Sequence, residues 1–483
     1  MRGSAVRGQE ERQVDRFLDS EAPRPTLALL YGRRRIGKST MLLCQVGQRQ
    51  GFYFEATEVS ASQHLERLGV ELGAFLGTPR IALDSWREAL AALMRIGERG
   101  RIPVVLDEFG YLLEADRSVP SEVASALGPA ATTGTKSRSR VVLCGSAISV
   151  MRALTLGEAA LRGRAGLELA MQADDFRVAA TRLPNPDDLE TAMHTFAVIG
   201  GVIGYATDMV DFDLPRSMED FDRWVVDRVL SPAATLHHEA TTVLAEEPTA
   251  AGKNALLSNS LLGAIANGSV TAAHLARAVG RQAANVLPQL GRLGDAGFVV
   301  RHEDPIRSQR TRYALNDSFL QFHFAVLEPH RALLRDRDAE GSWANRLRDA
   351  YRTHVRGPVF EEMARTWVRR FASDDTLPTR DWIGPSSVSL DGREREIDVL
   401  VAAGVADAPA ERRIVALGEA TSGEVLTVGH LRSLERKRAA FGNRAEGSKL
   451  LLFGPHVDGD LRRAAGGRED VELVDLDRLY RGS

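Results

Sequence analysis

Cysteine is nearly absent from this 483-residue chain, with Cys44 and Cys144 as its only two. That scarcity excludes a disulfide-stapled scaffold, and no cluster of Cys and His at metal-binding spacing accompanies it. Lysine is almost as rare, only five of the 62 lysine and arginine residues. Arginine number is therefore a weak functional signal, and each lysine an informative one. No apolar run reaches the ~18 residues of a membrane-spanning helix. The opening residues, Met1 to Arg12, lack the apolar core of a secretory signal. A reducing, cytoplasmic setting with no membrane partner is the expectation. Neither sign of charge is in excess, since the net charge is −3. Any attraction to nucleic acid must then be local. The rest of the composition is ordinary for a folded soluble protein, at 44% hydrophobic and 26% charged residues. The length suggests about two to four domains.

The sharpest local pattern begins at Thr26. Residues Thr26 to Tyr31 form a short apolar run that reads as a buried parallel strand. It leads into Gly32, Arg33, Arg34, Arg35, Ile36, Gly37, Lys38, Ser39 and Thr40, which fits the phosphate-loop pattern G-x-x-x-x-G-K-[ST]. Met41 to Gln50 then reads as a helix. Glycines let backbone N–H groups wrap phosphates, and the helix N-terminus adds partial positive charge. In this pattern Lys38 reaches the β- and γ-phosphates and Ser39 ligates Mg²⁺. A second apolar run from Arg101 ends in Asp107 and Glu108. A strand of this kind beside a phosphate loop makes Asp107 the Mg²⁺ residue and Glu108 the general base. The bland alternative is a strand closing in a solvated acidic turn. A third strand, from Arg140, ends at Ser146, where it could sense phosphate or orient water, or simply fit a tight turn. Arg162 or Arg164 could reach a γ-phosphate, in their own chain or from a neighbour, or remain on the surface.

From Asp187 to about Glu247 the pattern is helical, interrupted at Gly200-Gly201, and suits a small helical lid. The aromatic stripe of Phe221 and Trp224 reads as core. Residues 251 to 315 then read as three helices and a two-stranded wing. This segment carries eight basic residues against three acids, unlike the chain as a whole. In a winged helix the third helix enters the DNA major groove. Arg281, Gln282 and Asn285 open that helix and could read base edges. Arg307, Arg310 and Arg312 on the wing could contact phosphate. A wing that binds protein is the alternative.

The C-terminal part reads as a long helix from Ser342 to Phe371, followed by strands and helices. Glu361, Asp398 and Glu419 are acids that could meet at one metal, as in metal-dependent nucleases. The lysine such sites add two residues after the last acid is replaced by Thr421. Lys437, on the next helix, is the nearest substitute. An inert structural or binding module is the favoured reading, with an active nuclease as the alternative.

Together these motifs resemble the archaeal-type AAA+ ATPases, relatives of the signal-transducing STAND NTPases. The resemblance covers most of the chain. It is carried by Val6–Leu18, with Gln9 where arginine is usual; by Tyr31–Thr40; by Leu106–Phe109; and by Leu143–Ser146. It continues through Leu161–Arg164, Gly200–Tyr205, Tyr313–Phe324, Phe360-Glu361, Glu396–Asp398 and Glu419–Thr421. The resemblance implies an α/β fold with a P-loop parallel-sheet core in residues 1–180 and a helical lid in 181–250. It also implies a winged helix-turn-helix in 251–330 and a restriction-endonuclease-like α/β domain in 331–483. It implies ATP, with Mg²⁺; the reading of the whole chain is a switch in which ATP binding orders the lid and hydrolysis releases it, with DNA as the favoured partner and a protein-binding scaffold as the alternative. Protein partners or a nucleotide-dependent oligomer are further expectations.

Overall fold

The computed structural model describes residues 8–132, 136–308, 310–335 and 339–483. Val6 and Arg7, at the head of the opening motif, lie outside these. By contacts the four segments expected from sequence resolve into two compact units. The first comprises residues up to Ala173 with 202–204 and 242–252. The second comprises 174–201, 205–241 and 253–483.

The first unit is built on five parallel strands: β1 (Thr26–Tyr31), β2 (Phe52–Glu55), β3 (Pro103–Asp107), β4 (Arg140–Gly145) and β5 (Ala165–Ala170), in the order β2-β3-β4-β1-β5. The central strands are apolar throughout because both sheet faces are covered. Leu27 and Leu29 face one core with Phe54, Leu68, Trp86 and Leu93. Ala28 and Leu30 face the other with Val14, Met41, Leu42 and Cys144. In this order β4 lies between the acidic strand β3 and β1. Ser146, just beyond β4, thereby becomes central rather than peripheral.

The second unit contains three helices, Ala255–Ala266, Ala272–Ala278 and Ala283–Asp295, followed by the antiparallel hairpin β6 (Val299–Glu303) and β7 (Thr311–Leu315). The Thr271 hydroxyl caps the second helix by accepting from the His274 N–H. A helical run from 339 to 370 leads to a mixed sheet. Its strands are β8 (Trp382–Leu390), β9 (Arg393–Ala403) and β10 (Arg413–Ala420). A minor strand β11 (Val425–Leu426) precedes β12 (Lys449–Phe453). It pairs with β13 (His456–Val457), and β14 (Val471–Val474) closes the order β14-β12-β10-β9-β8.

The turn joining β6 to β7 is built into this second sheet. Ile306 is 2% exposed and belongs to the core of Val388, Ile397, Leu400 and Leu450. The Arg412 guanidinium lies over the Trp382 ring and donates to the Pro305 carbonyl at 2.9 Å. At Gly384 a Cβ would sit 2.8 Å from the Glu303 carbonyl oxygen, so the close approach requires glycine. Among the described residues no helix is long and apolar enough to cross a membrane. Truncating Ile306 leaves a cavity that this packed turn cannot close. Ile306→Ala is expected to cost about 2–5 kcal/mol, read as a lowered urea midpoint for the second unit; an unchanged midpoint would refute the docked turn.

Candidate active site

The phosphate-loop residues emerge where β1 ends. Gly32 passes so close to its neighbour that a Cβ would lie 2.7 Å from the Met171 carbonyl oxygen. Gly37 sits at φ +90° and opens the helix Lys38–Gln48. Among the described residues no side chain caps that helix N-terminus, so its positive end faces the loop. Lys38 is 4% exposed. Its Nζ donates to the carbonyls of Gly32 at 2.7 Å and Arg33 at 3.0 Å, and to Ser146 Oγ at 3.2 Å. Burial pulls the ammonium below its ordinary pKa, with the Glu108 and Asp107 carboxylates opposing it. Ile36 is buried, Thr40 is exposed, and the Arg35 carbonyl accepts from the Gly204 N–H at 2.9 Å.

Asp107, at the end of β3, is fully buried. Burial raises a carboxyl group, but hydrogen bonds from Cys144, Ser39, Tyr53 and the Glu108 N–H outweigh it and hold Asp107 below the ordinary range. Ser39 and Asp107, the pair expected to hold a cation, are thus close enough to influence one another. Glu108 adopts left-handed backbone, φ +49°, which costs a non-glycine residue about 1–3 kcal/mol. Its Oε1 accepts from Ser146 Oγ at 2.8 Å. Lys38, Ser146 and Glu108 are therefore one hydrogen-bonded chain, with Ser39 and Asp107 beside it. Tyr53 belongs to no motif, and Cys144, inside the Leu143–Ser146 motif, has no role assigned there. Only the neighbouring of β2, β3 and β4 brings them to the site.

The arginines fare differently. Arg34 pairs with Glu246, which returns to this unit in the 242–252 segment, where Glu247 holds the Ser149 hydroxyl. Arg164 directly precedes β5, and Ala165 pairs with Leu27 at the amino end of β1. The phosphate loop leaves the opposite end, roughly 13 Å away at ~3.3 Å per residue. A γ-phosphate contact from Arg164 within its own chain is therefore ruled out by strand direction. Its Nε donates instead to the Ala160 carbonyl at 3.2 Å, and Arg162 donates to Gly157 at 2.9 Å.

In the second unit Arg281, Gln282 and Asn285 are exposed at the start of the third helix. The wing arginines each have a partner within the unit. Arg310 pairs with Glu394, Arg312 with Glu396 at 3.0 Å, and Arg307 donates to Ser387 at 2.8 Å. Exposed pairs contribute only about 0–1 kcal/mol each. The buried Ile306, at about 1.5–3 kcal/mol, is what keeps the wing there.

Glu361, Asp398 and Glu419 come near one another, each already engaged. Arg365 lies 3.7 Å from Glu361 and 2.7 Å from Glu362. The Ala420 N–H donates to Asp398 Oδ2 at 2.8 Å, and Lys437 Nζ to Glu419 Oε2 at 2.7 Å. Among the described residues no group of three His, Cys, Asp or Glu is placed to hold a metal ion. Burial, then the Asp398 carboxylate, raises Glu361; burial and Glu419 raise Asp398 against the Ala420 N–H.

No family model matches this chain. An uncharacterised protein of Methanocaldococcus jannaschii is 24% identical over 384 residues, covering 77% of this chain and 79% of its own. A Walker-type ATPase of Pyrococcus abyssi matches 66% of this chain and 95% of its own, at 17% identity and a TM-score of 0.48. The ORC2 protein of Aeropyrum pernix, solved with ADPNP and ADP, matches 69% and 95%, at 16% identity and 0.41. At such identities and TM-scores no activity transfers to this chain, and its chemistry rests on the geometry of the loop.

The raised Glu361 carboxyl sets a pH dependence. The folded chain keeps this proton above the ordinary value of 4.5, so folding binds a proton there and stability falls as pH rises. Glu361→Gln, always neutral, should raise the melting temperature relative to the parent chain at about pH 8 and leave it unchanged near pH 4.5. Equal melting temperatures at both values would show that Glu361 is not strained by its neighbours.

Proposed function

We propose that this chain is an ATP-binding and ATP-hydrolysing switch whose second unit engages DNA through the helix Ala283–Asp295. The observation that carries the nucleotide reading is the linked set of Lys38, Ser39, Asp107, Glu108 and Ser146 at the carboxyl ends of parallel strands. Ligands of open α/β sheets lie at that edge. Lys38 would exchange its loop carbonyls for β- and γ-phosphate oxygens. Glu108 would take a proton from the attacking water, with Ser146 fixing its carboxylate. Ser39 and Asp107 are hard oxygen donors held together, one of them ionised, and so fit Mg²⁺. The ion, when bound, supplies charge neutralisation at the phosphates. ATP rather than GTP follows from the family resemblance.

The chain crosses between its units beside the loop. Gly204, on the Arg35 carbonyl, and Glu246, on Arg34, belong to short stretches that leave the first unit within a few residues. These ties connect the 202–204 and 242–252 stretches to the loop, and a γ-phosphate held there would be the differential contact a switch needs. Arg164 keeps a role only toward the nucleotide of a neighbouring copy. The C-terminal sheet acts as a structural partner of the wing, with its acids neutralised in place.

Exposed Arg281, Gln282 and Asn285 support DNA as the partner. A protein partner is the second reading, favoured by Leu287, 45% exposed on the same helix. Lys38→Ala should abolish ATP binding, while Glu108→Gln should bind ATP and turn over about 10²–10⁴-fold more slowly. Turnover at the parent rate would remove Glu108 as base. In duplex-DNA titrations Arg281→Ala should weaken binding about 5- to 100-fold, whereas Arg310→Ala should leave it within about twofold, because its charge is already paired. Absence of any salt-dependent DNA binding, with and without ATP, would favour the protein partner.

A further inference from the structure

Tyr53 is a side-chain partner of Asp107 that belongs to no motif. It lies on β2, whose Tyr53 is in register with Val105 and whose Glu55 is in register with Asp107. Its phenol thus has to span about two residues of strand, roughly 6.6 Å at the ~3.3 Å rise, to reach the aspartate. It does so, and Tyr53 Oη donates to Asp107 Oδ2 at 2.5 Å. Its ring packs on the core that also holds Met41, Val105 and Cys144.

The carboxylate of Asp107 is held by four donors of unequal standing. The Glu108 N–H fixes Oδ1 at 2.8 Å and Tyr53 fixes Oδ2. Ser39 also lowers the Asp107 carboxyl pKa, and its hydroxyl can ligate a cation through oxygen while still donating its hydrogen. Cys144 offers only a weak S–H. Two of the four, the backbone N–H and the phenol, therefore keep the carboxylate plane fixed whatever Ser39 does.

We infer that Tyr53 is a positioning residue for the divalent cation of the nucleotide site, holding the Asp107 carboxylate in the orientation that receives it. The inference rests on the nucleotide reading proposed for this site and adds a residue to it. Partners of this outer kind typically contribute 10–100-fold in metal affinity. The Tyr53 hydroxyl acts on the ion through Asp107 and touches no phosphate.

The test uses the full-length chain and a fluorescent ADP analogue. Affinity is measured in EDTA and across a Mg²⁺ series, for the parent, Tyr53→Phe and Lys38→Ala. Phenylalanine keeps the packed ring and removes only the donor. The expected result for Tyr53→Phe is unchanged affinity in EDTA with a Mg²⁺ half-saturation raised about tenfold. An unchanged Mg²⁺ half-saturation overturns the inference. So does an equal loss in EDTA and in Mg²⁺, which would mark Tyr53 as part of the fold alone. Failure of the parent chain to bind the analogue at all, matching Lys38→Ala, overturns the nucleotide reading instead.

Discussion

A carboxylate buried at the end of a parallel strand is the constraint on which the first unit turns. Asp107 is fully enclosed, and an isolated charge in that position would cost several kcal/mol. It is tolerated because Tyr53, Ser39, Cys144 and the Glu108 N–H surround it. Those donors come from β2, from the phosphate-loop helix, from β4 and from the backbone following β3. Each must therefore arrive at one edge of the sheet. The order β2-β3-β4-β1-β5 is the arrangement that delivers them, with β4 placing Cys144 and Ser146 between the loop and the acids.

Burial also separates strong from weak holds in the second unit. The wing turn carries several ion pairs to β9, yet these lie half in solvent and contribute little. Ile306 in the sheet core, and Arg412 bound to the Pro305 carbonyl over Trp382, are the contacts that keep the turn in place. Docking then brings Arg307, Arg310 and Arg312 against Glu394 and Ser387 or Glu396. A local excess of positive charge along the sequence is thus partly offset by acids far along the chain, 84 residues away for Arg310 and Glu394.

The C-terminal acids show the limit of reading a cluster from residue types. Glu361, Asp398 and Glu419 do approach one another, and burial, then mutual repulsion, raises two of them. Arg365, Lys437 and the Ala420 N–H nevertheless each hold one of these acids. Lys437, one of only five lysines in the chain, is used here to neutralise Glu419.

Short-range pattern was enough for the elements that carry the phosphate loop. An apolar strand, two glycines at fixed spacing and a helix directly after them leave few other conformations open. The same holds for the three helices and hairpin of the second unit, where Thr271 and the turn residues act on their immediate neighbours. Pattern alone left undecided whatever depends on which strands become neighbours and in which direction they run. Tyr53 and Glu246 entered the site, Arg164 left it, and the wing arginines gained partners, all through contacts between residues far apart in sequence. The reason is physical: backbone preference and hydrophobic period act over a few residues, whereas the partner of a buried charge is chosen by the packing of the whole sheet.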